Sequence, residues 1–518
     1  MKKLVEEWRS TIFLGFGIIL LALFLRTYNI TSLPVFADEA IYIRWAQVMR
    51  AEPSLRFLPL SDGKQPLFMW AVIPMFKLFS DPLVAGRIVS VLTGLGTLVG
   101  VFALTLLLFK SKKAALVASL IYAISPFAVF FDRIGLVDSM LAMFGVWLLF
   151  FATLTTRSLR LDYAMISGFA LGGALLTKSP AVFFVILLPS VWLLAKWPKK
   201  LSGIFSRFVK SFGLLLPTLV IGYGMYNILR LGTNFHLIGT RNKDYVLPIS
   251  HLWTNPRDPF IFHMDRVLEW FWALGPSFLV IAFFLALVSG LLKRNKETFV
   301  LGLWVFIPIM VQSMYAKAFT TRYVLFTLAP GIILAASLFA KENAFYKKRK
   351  VLLEILIAGF VAHALWFNYV LLNDAEKANL PRVMRSGYLE EWTSGTGIRE
   401  TAEILESELV SNPDEKIVVG TEGYFGTLPD GLQMYLNHRP EITVIGVGLN
   451  LNEVPSSLLE SKEAGNKTYL VINSTRLKAS PEELGLELVA AFPKAIRPEG
   501  VESFVHHGPQ ETLYLFKL

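Results

Sequence analysis

Long apolar runs separated by short basic clusters set the first constraint on this chain. A stretch of roughly 20 apolar residues can satisfy its own backbone polar groups in a bilayer only as a helix. Eleven such runs can be drawn, near residues 10–28, 83–109, 114–131, 137–156, 162–178, 180–195, 206–230, 264–292, 298–315, 322–340 and 351–372. Lys2-Lys3-Arg9, Lys110-Lys112-Lys113, Arg157-Arg160, Lys196-Lys199-Lys200, Lys293-Arg294-Lys296 and Lys347-Lys348-Arg349-Lys350 all fall on one side of that count. Lysine and arginine accumulate on the cytoplasmic side of membrane proteins, so this side is cytoplasmic and the N-terminus lies there. The run Pro66–Phe79 is only 14 residues long and contains Pro74, so it reads as an interfacial or re-entrant helix. Counting it as a span would move every later basic cluster outside.

Composition agrees with this reading. Of 518 residues, 54% are hydrophobic and 17% charged, and the mean hydropathy is +0.53. That is too apolar for one soluble globule and implies a multi-pass protein of the plasma membrane. Cysteine is absent, which excludes disulfides and thiolate chemistry. Residues 373–518 carry 13 Lys+Arg and 22 Asp+Glu, net −9, against an overall net charge of +11. The basic excess therefore lies in the apolar part as short interhelical clusters, which argues against nucleic-acid binding. Phe13–Leu25 has no small-residue cleavage site after it and is expected to remain as the first span.

The expected architecture is a polytopic α-helical membrane protein with a C-terminal soluble α/β domain. Residues 1–372 form the membrane domain, with exoplasmic loops 29–82 and 231–263; residues 373–518 form the extracytoplasmic domain. Short β-like runs at Lys416–Gly420, Ile442–Val447, Thr468–Asn473 and Thr512–Lys517 follow an amphipathic helix marked by Ile398, Ala402, Leu405 and Leu409. Gly420, Gly423 and Gly426 do not make GxGxxG, so they read as turn glycines and no nucleotide cofactor is expected. Sequons at Asn29, Asn466 and Asn473 all lie on the expected outside.

Charged groups near the membrane are costly to desolvate, so those outside the cytoplasmic clusters carry the functional information. Most fall at exoplasmic helix ends: Asp38, Glu39, Arg44, Asp62, Lys64, Arg87, Asp132, Arg133, Asp138, Lys178, Arg241, Lys317 and Arg322. Both signs at one membrane face suit a reaction in which cations neutralise an anion while a carboxylate accepts a proton. Snorkelling and structural ion pairs are the alternative for each residue taken alone. Asp38-Glu39 opens an amphipathic stretch with Ile41, Trp45, Val48 and Met49 on one face. Two readings of the pair are open: caps for free helix N–H groups, or a catalytic base. Tyr42, Trp45, Trp70 and Trp253 are candidates for stacking on sugar or isoprenoid faces, with core or interface anchoring as the alternative. His236, His251 and His263 share one outer loop without compact metal-site spacing, so a divalent metal stays open.

The order of these residues adds a resemblance. Asp38-Glu39, SDGKQPLFMW at 61–70, AGRIVSVLTG at 85–94, DRIGLVDSMLAMF at 132–144, ALLTKSPAVFF at 174–184 and TRYVLFTLAP at 321–330 together resemble the membrane glycosyltransferases that use polyprenyl-phosphate sugars. These are the C-type glycosyltransferases, including the protein O-mannosyltransferase group and the lipid A aminoarabinose transferase. The resemblance covers about residues 10 to 340. It implies that Asp38 is the catalytic carboxylate with Glu39 as its partner, that Lys64, Arg87 and Arg133 lie near the donor phosphate, and that Asp138, Lys178 and Arg322 belong to the site. The family's KPPL or HPPL stands here as Lys64-Gln65-Pro66-Leu67, so its first proline is replaced. The implied partners are a polyprenyl-phosphate sugar, a hydroxyl acceptor on protein, lipid or glycan, and membrane lipids. A secondary transporter or lipid flippase would instead place its charges near the bilayer midplane, often in two repeated halves; here they cluster at one face and no repeat is visible.

Overall fold

The computed structural model describes residues 2–340, 349–411 and 415–518. Lys347 and Lys348 of the last basic cluster lie outside the described residues. Among the described residues, seven helices are long and apolar enough to cross a membrane: Glu6–Thr27, Pro82–Phe109, Val137–Ser158, Leu201–Leu231, Lys296–Tyr315, Thr321–Phe339 and Lys350–Asn373. The chain is thus a multi-pass membrane protein. Leu67–Lys77 is a shorter apolar helix, in keeping with the exclusion of that stretch from the spans.

The other expected spans depart from single straight helices. Residues 264–292 belong to two helices, Phe260–Leu274 and Ser277–Leu292, bent by 113°. Gly275-Pro276 separates them: proline has no N–H to donate and disfavours the helical conformation in the residue before it. Counting the bent pair as one span gives eight. Residues 114–131 divide at Ser125 into Lys112–Ile124 and Pro126–Phe131. Pro126 leaves the carbonyls before it without their helical donors, and the Arg26 guanidinium replaces them, donating to Ala123 O at 2.9 Å and to Tyr122 O at 3.4 Å. Runs 162–178 and 180–195 form the short helices Leu161–Thr177 and Ser179–Leu194, the second partly 3₁₀.

The chain does not divide at one boundary near 372. Residues Met1–Tyr28, Arg56–Phe68 and Ile88–Asn373 form one compact unit, and Asn29–Leu55, Met69–Arg87 and Asp374–Leu518 form a second. In the first unit, Leu161–Thr177 packs closely on Leu201–Tyr226 because glycines line the contact. A methyl group on Gly168 would meet Ile221 at 2.8 Å, and one on Gly172 would meet Met225 Sδ at 2.4 Å. Small residues at such positions let helix backbones approach where no hydrophobic effect drives them together.

The second unit is built on a five-stranded sheet: β1 (Ile417–Glu422), β2 (Ile442–Gly448), β3 (Lys467–Asn473), β4 (Glu487–Pro493) and β5 (Thr512–Lys517), in the order β2-β1-β3-β5-β4. β1 runs parallel to β2 and β3, whereas β5 runs antiparallel to β3 and β4. The helix Ile398–Ser411 buries Ile398, Ala402, Leu405 and Leu409, the apolar face read from the sequence. That face shares a core with Val419, Val471 and Leu515 of the sheet and with Val35, Ala40, Ile43 and Leu83. Residues between the first two long apolar helices thus complete the C-terminal core, which is why the second unit is drawn from three stretches of chain. Gly423 and Gly426 adopt φ of +72° and +131°, the conformations that a turn after β1 requires of glycine. Asn473 is buried, its amide donating to Glu422 Oε1 at 2.8 Å, so that sequon is inaccessible in the folded protein.

Candidate functional site

The acid pair sits in the first turn of the helix Ala37–Ala51, and the structure separates the two residues by role. Glu39 is fully buried. Its Oε2 accepts the Phe36 backbone N–H at 3.2 Å, and its carboxylate takes the Arg87 guanidinium in a bidentate pair, both contacts at 2.8 Å. These contacts give Glu39 the helix-capping geometry and tie it to Arg87. Asp38, one residue earlier, is only partly buried.

Arg87 is engaged by the protein itself. At 1% exposure, it donates through Nη1 to the carbonyls of Ile30 and Leu33 at 2.6 and 3.0 Å, and through Nη2 to Pro34 O at 3.0 Å, besides holding Glu39. Its five N–H groups are engaged by the strap of chain before the helix, so a donor phosphate would have to displace buried partners. Tyr42 and Trp45 of the same helix are buried, and Trp45 packs on Phe425 with ring centroids 5.6 Å apart. Both are core residues here, whereas Trp253 is largely exposed.

In the first unit the Asp132-Arg133 motif is also structural. Asp132 accepts from Arg26 Nε at 2.9 Å, Ser139 Oγ at 2.7 Å and Tyr122 OH at 3.2 Å, all in a fully buried cluster. Arg133, 1% exposed, donates to Leu25 O at 2.9 Å and Tyr28 O at 2.7 Å. A cation over the last carbonyls of the first helix neutralises its negative end. Through Nη1, Arg133 thus caps the end of the first helix.

The remaining cations of the first unit converge. A cavity of about 820 Å³ is walled by Leu171, Leu175, Phe183 and Leu219 and carries Lys64, Lys178 and Arg241 with Tyr245 and Tyr323. Lys64 Nζ lies 3.2 Å from Tyr245 OH and 3.9 Å from Asp62 Oδ2. Arg241, 43% exposed, pairs with Asp62 at 2.6 Å and with Asp244 at 3.0 Å. Lys178 Nζ bonds Asp138 Oδ1 at 2.6 Å and lies 4.3 Å from the centre of the Tyr323 ring. Arg322, beside Tyr323, acts electrostatically on Lys178. Asp138 is buried, and its Oδ2 has no hydrogen-bond partner among the described residues.

Lys64 keeps its place despite the altered motif. Gln65, standing where the family has proline, donates to Ser179 Oγ at 2.9 Å and ties the loop to the residue after Lys178. The sequence reading noted Arg241 only as one charge among many and missed Tyr245 and Tyr323. No short motif marks them, since Arg241 reaches Asp62 across 179 positions of chain. A cationic end on an apolar slot fits an amphiphile with an anionic head.

No group of three or more His, Asp or Glu is gathered among the described residues as a metal ion would require. His263 bonds Ser313 O at 3.1 Å and His251 bonds Asp258 O, so no step is assigned to a metal.

Comparison with known proteins places these features. Residues 63–221 match the family model for dolichyl-phosphate-mannose-protein mannosyltransferase. No curated protein sequence matches the chain. Among solved structures, ArnT from Cupriavidus metallidurans in the apo state superposes with a TM-score of 0.60 at 14% identity, covering 98% of each chain. The same protein bound to undecaprenyl phosphate gives 0.54 at 15% identity, covering 99% of this chain and 98% of that one. The fold is thus that of ArnT, and residues 63–221 resemble the mannosyltransferase family.

Proposed function

We propose that this protein is an inverting glycosyltransferase that moves a sugar from a polyprenyl phosphate to an acceptor hydroxyl at the outer face of the plasma membrane. The observation that carries this is the cavity in which Lys64, Lys178 and Arg241 stand at one end of an apolar slot. A sugar joined through its anomeric carbon to a lipid phosphate brings its own leaving group. Three cations and two phenol groups can hold that phosphate and stabilise the charge it gains as the bond breaks. Asp138 Oδ2, buried and unpartnered, is suited to accept a hydroxyl of the donor sugar.

Asp38 is the general base. The acceptor oxygen attacks the anomeric carbon from the face opposite the phosphate, and its proton passes to the Asp38 carboxylate. The anomeric C–O bond breaks with its electrons going to the lipid phosphate, so one displacement inverts the centre. No carboxylate nucleophile is required.

Removing Lys64 or Lys178 tests the donor site. Each charge-assisted hydrogen bond in a partly dry cavity contributes about 1.5–3 kcal/mol, roughly ten- to a hundredfold in affinity. Lys64→Ala and Lys178→Ala should each weaken binding of undecaprenyl phosphate by that factor in a native mass-spectrometry titration. Unchanged affinity in both would remove this cavity from the donor site.

The basic clusters favour an N-terminus in the cytoplasm and residues 373–518 outside. The absence of cysteine gives a clean background for labelling. Glu460→Cys should react with an impermeant thiol reagent in intact cells, and Lys113→Cys only after permeabilisation. The opposite pattern would invert the topology.

A further inference from the structure

Within the second unit a cavity of about 790 Å³ opens beside the far end of the helix Ala37–Ala51, and nothing in the reaction above uses it. Its volume is in the range of small-molecule sites, roughly 300–1,000 Å³. We propose that it is a binding subsite for an uncharged saccharide of the acceptor, so that the acceptor class is a glycan. This rests on the reading of the chain as a transferase.

The charges in the wall lead to that ligand. Arg399 is held by Asp81 at 2.5 Å, and His438 and Arg439 both point to Glu406, at 2.9 and 3.4 Å. These pairs cancel within the wall. What remains is one guanidinium, Arg50, whose recorded contact is the Phe76 ring 5.9 Å away, and one exposed carboxylate, Glu403. Neither has an ion-pair partner recorded among the described residues. An anionic ligand would be opposed by Glu403 and a cationic one by Arg50. A hydroxyl group both donates and accepts, so a polyol can satisfy the two together.

The remaining groups fit the same ligand. Asn437 is exposed and its Oδ1 accepts from Arg44, so its amide also offers N–H donors, which a hydroxyl can accept. Phe76 and Tyr435 offer partly exposed aromatic faces against which the C–H face of a pyranose can lie. Tyr435 also accepts from Arg399 at 3.4 Å, which fixes its ring. An extended peptide would need a row of backbone partners that the wall does not offer in sequence, since the lining comes from helices and loops rather than a strand edge.

The test uses the full chain in lipid nanodiscs. Saturation-transfer NMR would be run with mannotriose, cellotriose and chitotriose, and with an uncharged blocked tripeptide, Gly-Ser-Gly, alongside. At least one trisaccharide is expected to bind, and Arg50→Ala and Glu403→Gln should each weaken it about tenfold or more. Both residues lie outside the donor site, so undecaprenyl phosphate binding should be unchanged in both variants. Binding of no trisaccharide, binding of the peptide alone, or saccharide binding indifferent to both substitutions would overturn the proposal. Loss of the transferase reading itself would show separately, as failure of the wild-type protein to bind the lipid phosphate.

Discussion

Asp38→Asn should fold and bind the lipid phosphate like the wild type, yet lose ~10²–10⁴-fold in turnover, the usual cost of removing a general base. The reason lies in the first turn of the helix Ala37–Ala51. Two carboxylates stand there in succession, and a base must be able to reach an acceptor. Glu39 is closed off, with both oxygens held by Arg87 and the Phe36 N–H. Asp38 is partly exposed at the same helix end. Asparagine preserves its shape and most of its capping ability, so a capping role alone would leave turnover near normal. Transfer and donor binding should be measured side by side for Asp38→Asn. A variant with near-normal transfer would return Asp38 to helix capping and leave the reaction without this base.

Arg87→Ala should act on stability instead of on donor binding. It leaves the Glu39 carboxylate buried without its cation and frees the carbonyls of Ile30, Leu33 and Pro34. Breaking a buried pair by removing one partner costs about 3–5 kcal/mol, a large share of the stability of most domains. Heating followed by size-exclusion chromatography should show a lowered midpoint. The double variant Arg87→Met with Glu39→Gln should recover part of the loss, because no unpaired charge remains. If Arg87 were a phosphate ligand, Arg87→Ala would instead keep its thermal midpoint and bind undecaprenyl phosphate weakly. That result would reverse the assignment made here.

Much of the membrane part was legible because hydrophobicity is a local property. The long spans follow directly from runs such as Pro82–Phe109. Strands β1, β2, β3 and β5 were visible for the same reason, as each is an apolar run with most of its residues buried or half-buried. Strand β4, Glu487–Pro493, was not. It lies at the sheet edge with most of its residues exposed, so burial left little pattern in its sequence.

The site was legible in its residue types more than in its pairings. Lys64 and Lys178 line one cavity and Lys178 pairs with Asp138, whereas Arg87 and Arg133 donate to carbonyl groups. A guanidinium at a helix end reads the same in sequence whether it meets a phosphate or a backbone oxygen. Only the fold brings Ile30, Leu33 and Pro34 to Arg87. The shared core of the second unit escaped for a related reason. Val35, Ala40 and Ile43 lie hundreds of positions from the strands they cover, and each alone is unremarkable in an interfacial helix.

The most direct test of the account incubates the purified protein in nanodiscs with a panel of polyprenyl-phosphate sugars and candidate acceptors, following donor and product by mass spectrometry and the anomeric configuration by NMR. The account predicts acceptor-dependent release of polyprenyl phosphate and a product of inverted configuration, with both abolished or nearly so in Asp38→Asn. Retained configuration in the product, or transfer undiminished in that variant, would contradict it.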